Sequence, residues 1–250
     1  MSFQNKVAIV TGGARDIGGA VSKTLARQGA SVVINYLHNK ADADATVRSI
    51  TDEGGKAIAV QADVTKAADV ERLVKEAIAK FGPKIHVLVN VAGGLVARKT
   101  MAEMDEAFWN NVIQLNLNSV FLVTKAVLPH LADGGAIVNF SSQAAHDGGG
   151  PGAIAYASAK AAVANMTRGL AKELAARKIR VNAVSPGMIN TTFHNTFTKP
   201  EVRQRVASMT PLGREGNAPE VADLVAYLAS DNASFINGES VEINGGIFFA

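Results

Sequence analysis

Tyr156-Ala157-Ser158-Ala159-Lys160 sets a phenol and an ammonium four residues apart, a spacing that puts both on one face of a helix. Free tyrosine titrates near ~10, and a cation held beside it in a poorly solvated cleft lowers that value toward the range of a working proton donor. The pair therefore has the chemistry of a general acid. Tyr-x-x-x-Lys also arises in surface helices that do no chemistry, so the remaining elements must decide whether this pair sits in a site.

Those elements alternate. Short apolar runs at Val7–Val10, Ser31–Asn35, Ala57–Gln61, Val87–Asn90, Ala136–Phe140, Arg180–Val184 and Ser240–Ile243 read as strands, and stretches such as Val70, Leu73, Val74, Ala77, Ile78 between them carry helical spacing. Strand and helix taking turns predicts an α/β fold: a Rossmann-type, doubly wound parallel sheet of about seven strands with helices on both faces. The 250 residues show no linker, so positions 1–250 are expected to form a single domain. Ligands of such sheets bind beyond the carboxyl ends of the strands, where the chemistry should lie.

Composition removes several function classes. The formal charge is +3 with lysines and arginines scattered, which gives no basic stripe for nucleic acid. There is no cysteine and the five histidines form no close pair, so neither a disulfide framework nor a metal site is expected. No apolar stretch reaches membrane-spanning length and no leader pattern precedes the first strand, which predicts a cytoplasmic protein with no membrane partner.

Three strand ends look built for one ligand. Thr11-Gly12-Gly13-Ala14-Arg15-Asp16-Ile17-Gly18 follows the first strand and opens a helix, where glycines admit a phosphate to free backbone N–H groups. Asp63, before Val64, follows the third strand and can accept from an adenine amino group. Asn90-Val91-Ala92-Gly93-Gly94 follows the fourth, with small residues that permit close approach.

In this order the motifs resemble those of the short-chain dehydrogenase/reductase family, over essentially the whole chain. The matching positions are Thr11, Gly12 and Gly18; Asn90, Ala92 and Gly93, with Val91 in place of a second Asn; and Asn116, Ser142, Tyr156, Lys160, Pro186-Gly187 and Thr191. Asp16 stands where the family usually has glycine, which sets a carboxylate near the expected pyrophosphate. The resemblance implies a catalytic tetrad of Asn116, Ser142, Tyr156 and Lys160. In it Tyr156 donates the proton, Ser142 bonds the carbonyl oxygen, Lys160 lowers the tyrosine pKa and binds the nicotinamide ribose, and Asn116 holds a water of the proton relay. Taken singly each has a plainer role: Ser142 a turn serine, Asn116 an interior amide, Lys160 a solvated charge. The resemblance also implies that Ile17 lies in the cofactor loop, that Ile189 meets the carboxamide, that Thr191 bonds a cofactor phosphate, and that the chain forms a homotetramer on the helices around Asp105–Leu131 and Tyr156–Arg177 and on the last strand.

The second strand ends Asn35-Tyr36-Leu37-His38-Asn39-Lys40, and no carboxylate at Tyr36 repels a 2′-phosphate. With Arg15 in the glycine loop and His38 or Lys40 nearby, NADP(H) is favoured, while the absence of a basic residue at Leu37 leaves NAD(H) open. The polar stretch from Thr192 to about Met209, with Pro200 and weak periodicity, is expected to be a mobile substrate lid.

Three loops are candidates for substrate selection: Gly93–Lys99, Gln143–Gly152 and Thr192-Phe193-His194. Arg98 and Lys99 can neutralise an anion, or lie at the surface or between subunits; Gln143 and His146 can bond hydroxyls. Together with Phe193, these loops resemble those of reductases acting on 4-deoxy-L-erythro-5-hexoseulose uronate, the small-molecule carbonyl released in alginate breakdown. Two other readings stand beside that one. A 3-oxoacyl-carrier-protein reductase would want arginines near His130–Gly135, which has none; a non-catalytic nucleotide sensor would have no need of the Tyr–Lys pair.

Overall fold

The computed structural model describes residues 2–249. Its strands and helices run β1 (Val7–Thr11), α1 (Asp16–Arg27), β2 (Ser31–Tyr36), α2 (Lys40–Asp52), β3 (Lys56–Gln61), α3 (Ala67–Phe81), β4 (Ile85–Asn90), α4 (Glu106–Ile113), a π-helical turn (Gln114–Asn118), α5 (Ser119–Val127), β5 (Leu131–Phe140), α6 (Ala144–Asp147), α7 (Ile154–Glu173), β6 (Arg180–Pro186), β7 (Ile189–Asn190), α8 (Thr192–Phe197), α9 (Pro200–Met209), β8 (Gly216–Asn217), α10 (Ala218–Ala229) and β9 (Ser240–Ile243). Seven strands form one parallel sheet in the order β3-β2-β1-β4-β5-β6-β9, as the alternation predicts.

Strand β1 is buried from end to end because helices cover both faces of the sheet. Successive side chains point to opposite faces. Ala8 and Val10 therefore pack with Val21 and Leu25 of α1, Ile50 of α2 and Val225 of α10, whereas Ile9 packs with Leu73 of α3, Val127 of α5 and Ala171 of α7. The order reverses between β1 and β4, which opens the crevice at their carboxyl ends.

The structure corrects three local expectations and gives the form of a fourth segment. The stretch from Thr192 to Met209 is two helices, α8 and α9, separated at Thr198 and Lys199, and Pro200 fits because the first turn of a helix needs no N–H there. The long helix expected over Asp105–Leu131 is broken by the π turn and ends at Val127. The C-terminal half of the other expected helix is the end of α7 and a 3-10 turn at Ala175–Arg177. Finally, β5 begins at Leu131, so the run from His130 to Gly135 lies at the amino end of that strand. The cleft is at the other end, and the missing arginines there carry no weight against a carrier protein docking beside it.

Candidate active site

The glycine loop is held by contacts that only glycine permits. Gly12 has φ +61, and a Cβ there would lie 3.2 Å from the Ala92 Cα; a Cβ on Gly18 would lie 2.0 Å from the Gly12 carbonyl oxygen. Since neither neighbour is a flexible side-chain end, Gly18→Ala is expected to destabilise the protein by about 3 kcal/mol and to weaken dinucleotide binding at least tenfold. Urea unfolding and cofactor titration check both effects.

Asparagine 35 joins the strand ends, a role the sequence did not reveal. Its Oδ1 accepts from Gly12 N–H at 3.2 Å and its Nδ2 donates to Ala62 O at 2.9 Å. Thr11 Oγ1 accepts from the N–H groups of Val91 and Ala92 at 3.1 and 3.2 Å. The loops after β1, β3 and β4 are thus laced together. Ile17 is half-buried on the α1 side, and Val64 is buried under the loop after β3. Burial would raise the Asp63 carboxyl, but hydrogen bonds from the Thr65 hydroxyl and N–H, at 2.6 and 3.0 Å, together with Lys66, hold it below its usual range. Asp63 is therefore a charged acceptor at neutral pH.

Asp16 occupies a left-handed backbone position, φ +49. Its carboxylate is turned from the loop toward α8: Oδ1 accepts from Thr192 N–H at 3.1 Å and Oδ2 accepts from the Thr192 hydroxyl. The charge that the sequence sets beside a pyrophosphate is engaged elsewhere. Tyr36 is buried at the end of β2.

The Asn90 amide nitrogen is also engaged inside the fold. Its Nδ2 donates to Asn139 Oδ1 at 2.9 Å, and Asn139 in turn donates to Thr167 Oγ1 at 2.9 Å, so the Asn90 side chain ties β4 to β5 and α7 rather than reaching into the cleft. Asn116 lies in the π turn, fully buried, with Nδ2 donating to Gly94 O and Val112 O at 2.8 and 2.9 Å and Oδ1 accepting from Gly94 N–H at 2.9 Å. All polar positions of that amide except one lone pair are used by protein. The side chain therefore positions the Gly93-Gly94 loop, and what it has left is one acceptor position on Oδ1.

Lys160 is 3% exposed and donates to Phe140 O at 2.8 Å. Its Nζ lies 5.7 Å from the centre of the Tyr156 ring, and a Cβ on Gly93 would meet both Lys160 Nζ (3.2 Å) and Asn116 Oδ1 (2.7 Å). Burial pushes the ammonium down to about 8. Burial also raises the Tyr156 phenol above its ordinary value, with the Ser142 hydroxyl opposing. The net shift of the phenol in the free protein is upward, removal from water outweighing the Ser142 hydroxyl, while the Lys160 ammonium is directed at the Phe140 carbonyl. Ser142 accepts from Ala144 N–H at 3.2 Å, a turn geometry that coexists with its place beside Tyr156.

The loop after β6 meets the C-terminal strand. Gly187 N–H donates to Ile243 O at 3.0 Å and Pro186 O accepts from Gln143 N–H at 3.1 Å; a Cβ on Gly187 would clash with Asn244 at 2.7 Å. Ile189 and Thr191 are buried, the Thr191 hydroxyl donating to Ile189 O at 3.1 Å.

The substrate candidates divide. Phe193 tilts over Tyr156, ring centres 6.0 Å apart, and is at the mouth of the cleft. Arg98 donates to Phe197 O at 3.0 Å and to Pro151 O at 2.9 Å, so its fork is engaged by backbone at the end of α8 and in the loop before α7. The Lys99 ammonium lies 4.7 Å from the centre of the Phe108 ring and 3.9 Å from the Asp105 carboxylate. Gln143 donates to Asp147 at 2.9 Å. His146 is committed to the C-terminal segment, Nε2 lying 3.0 Å from Glu242 and the ring stacking on Phe248 at 5.4 Å. Burial pushes His194 down to about 4, so it is neutral, with Nδ1 3.0 Å from the Thr198 hydroxyl.

A Cβ on Gly12, Gly13, Gly18 or Gly93 would meet neighbouring protein atoms at 3.2 Å or less, so these glycines are required by the close packing of the strand ends, and the turn that opens α1 at the carboxyl end of β1 has the chemistry to take a phosphate-bearing cofactor. Among the described residues no cluster of three or more potential metal ligands occurs, and no helix is long and apolar enough to cross a membrane.

Residues 12–247 match the family described as enoyl-(acyl carrier protein) reductase. A 3-oxoacyl-(acyl-carrier-protein) reductase from Synechocystis sp. is 42% identical over 97% of this chain and 96% of its own. A short-chain dehydrogenase/reductase from Serratia marcescens is 35% identical, covers 99% of both chains and superposes with a TM-score of 0.93. An NADH-dependent reductase responsible for alginate metabolism is 33% identical over 99% of both chains, TM-score 0.89, and a blue fluorescent protein from a metagenomic library, solved with NADPH, is 33% identical over the full length of both, TM-score 0.93. With the glycine loop, the strand-end lacing and the Ser142–Tyr156–Lys160 cluster in place, the chain belongs to the short-chain dehydrogenase/reductase family of oxidoreductases.

Proposed function

We propose that this protein is a carbonyl reductase that prefers NADP(H) to NAD(H) and acts on an acidic, sugar-derived keto-aldehyde such as 4-deoxy-L-erythro-5-hexoseulose uronate. The observation that carries the reductase reading is the convergence of Lys160 and Asn116 on Gly93, with the Tyr156 phenol and the Ser142 hydroxyl alongside. Gly12, Arg15, Ile17 and Gly18 would hold the pyrophosphate side of the dinucleotide, Asp63 and Val64 the adenine, Ala92 and Gly93 the middle, and Pro186, Gly187, Ile189 and Thr191 the nicotinamide. The reduced cofactor, when bound, supplies hydride to the carbonyl carbon. As that C–H bond forms, the C=O π pair moves onto oxygen, and Tyr156 passes its proton there while Ser142 donates a hydrogen bond to the same oxygen. The products would be an alcohol, the oxidised dinucleotide and a Tyr156 phenolate, which the Lys160 ammonium stabilises. Phe193 excludes water from the reacting carbonyl.

The NADP(H) preference is supported by an acid-free end of β2 and by Arg15, whose exposed side chain has one carboxylate near it, Asp16 at 3.8 Å. Lys40 contributes less than its position suggests, because it is paired with Asp44 at 2.7 Å. The NADH dependence of the alginate-pathway neighbour keeps the second cofactor in the test. A compact substrate is favoured by Phe193, whose ring tilts over that of Tyr156 with centres 6.0 Å apart. Reduction of a 3-oxoacyl carrier is the second reading, favoured by the 42% identity of the Synechocystis relative. A homotetramer would use the outer faces of α5 and α7, where half-exposed Phe121 lies under Lys125, 5.6 Å from its ring.

Initial rates with NADPH and NADH, using the uronate and an acetoacetyl thioester, test this reading. The expected result is uronate turnover at least tenfold faster with NADPH, the scale of one charge-assisted phosphate contact. Thioester reduction alone would move the assignment to acyl chemistry, and faster turnover with NADH would remove Arg15 as the discriminating charge.

A further inference from the structure

Helix α8 has six residues, too few to hold its own place in water, so its position over Tyr156 must come from ties to the rest of the fold. Two such ties stand at its two ends. At the amino end the Asp16 carboxylate accepts from both the N–H and the hydroxyl of Thr192, although the two residues are 176 positions apart. The Asp16 side chain is 27% exposed, and it holds a left-handed backbone angle that glycine would adopt with less strain. At the carboxyl end Arg98 donates to the Phe197 carbonyl at 3.0 Å and, through its other arm, to Pro151 O at 2.9 Å. An acid at the start and a base at the end match the helix dipole. Between them Phe193 packs on Phe197 at 5.2 Å and on Tyr156 at 6.0 Å. The neighbouring helix α9 is anchored by Arg203, which donates to Glu215 at 2.6 Å and to Asn190 at 2.9 Å and also to the Asn195 side chain of α8, a further tie between the two ends of that helix.

We propose that Asp16 and Arg98 are positioning residues for α8: two clasps of opposite charge, one from the dinucleotide loop and one from the loop after β4, that hold Phe193 over Tyr156 and couple cofactor retention to closure. The coupling follows from Asp16's place between Arg15 and Ile17 in the glycine loop. With the clasp closed, Thr192 occupies both carboxylate oxygens. With it open, a bare carboxylate stands beside the phosphates of a bound dinucleotide and repels them. Linkage then requires that the dinucleotide favour the closed clasp by the same factor. Arg98 acts at the other pole and touches no part of the glycine loop, so its loss loosens α8 without adding a charge to the cofactor site.

The proposal rests on the reductase reading for its meaning, but its test does not require turnover. Amide hydrogen exchange of residues 193–197 and the NADPH dissociation constant are measured on wild type and on Asp16→Gly, Thr192→Pro and Arg98→Gln. Proline suits position 192 because it opens α8 after extended Thr191, and it removes both donors; Thr192→Val, which removes the hydroxyl alone, serves if the proline variant does not fold. All variants are expected to exchange at α8 about tenfold faster, as loss of one or two charge-assisted bonds implies. NADPH affinity separates them: Thr192→Pro weakens it severalfold, Asp16→Gly leaves it unchanged or tighter, and Arg98→Gln leaves it unchanged. For carbonyl substrates, Arg98→Gln lowers kcat/KM for anionic and uncharged compounds alike. Unchanged exchange at α8, or Asp16→Gly and Thr192→Pro moving NADPH affinity in the same direction, would overturn the proposal. A loss by Arg98→Gln confined to anionic substrates would make Arg98 a direct substrate contact instead. If no carbonyl is reduced at all, the reductase reading falls while the exchange data still decide whether the clasps exist.

Discussion

Tyr156→Phe is expected to lower kcat for carbonyl reduction by about 10³-fold while changing the dinucleotide dissociation constant less than twofold, the scale of losing a positioned general acid. The ring that packs against Phe193 is retained, and only the hydroxyl facing Ser142 is removed. Burial raises this phenol above its ordinary value, so the free enzyme carries it protonated throughout the neutral range. That is the form a proton donor requires, and the rate of reduction should therefore show no acidic limb from Tyr156 between pH 6 and 8. The reverse reaction needs the phenolate as base, and its rate should climb with pH over the same interval. Steady-state rates in both directions, with cofactor titrations followed by fluorescence, check these points. A kcat within tenfold of wild type would mean that another group delivers the proton. Cofactor binding with no turnover in wild type, across a panel of carbonyl compounds, would favour a nucleotide sensor.

The sheet was legible because each of its strands is an apolar run closed off by a turn, and parallel strands covered on both faces leave that trace in sequence. Boundaries moved by a residue or two except at β5, whose first residues pair across the register shift beside Ile85 and Val87. Contacts between residues remote in sequence left no such trace. The two-residue ladder of β7 and β8 exists because Gly216 lies against Ile189, and the π turn at Asn116 is a change in backbone ring size that any composition can hide. The identities of Asn116, Ser142, Tyr156 and Lys160 were readable, yet what their side chains touch was not. Sequence spacing placed Lys160 beside Tyr156, but the depth of burial, which decides the sign of both pKa shifts, and the Phe140 carbonyl that accepts from the ammonium are properties of the packed core. Asp16 was visible as a departure in the glycine loop; its partner Thr192 could not be.

Lys160 should also leave a mark on stability. Its ammonium titrates at about 8 in the folded protein against 10.5 when unfolded. Below pH 8 both states hold the proton and the folded state bears the whole penalty of a buried charge, about 3 kcal/mol at most. Between pH 8 and 10.5 the folded state gives up its proton first, so the unfolded state binds more protons and stability rises with pH. Lys160→Met removes that rise. Subtracting its urea-unfolding free energy from that of wild type across this interval should give a difference that climbs by an amount on the order of 2–3 kcal/mol. Catalysis runs the other way. The charged ammonium is what stabilises the Tyr156 phenolate left after proton transfer, so kcat/KM for reduction should fall as pH passes through about 8 in the wild type. Lys160→Met should lie about 10²-fold lower and show no such limb. A stability difference that stays flat with pH would mean that the ammonium is as well solvated in the fold as in water; it would then remain charged beyond pH 8, and the fall in activity would have to belong to Tyr156. The conditions that relieve the buried lysine are thus those that disarm the site, which places Lys160 in the core for the chemistry beside it and against the stability of the sheet that holds it.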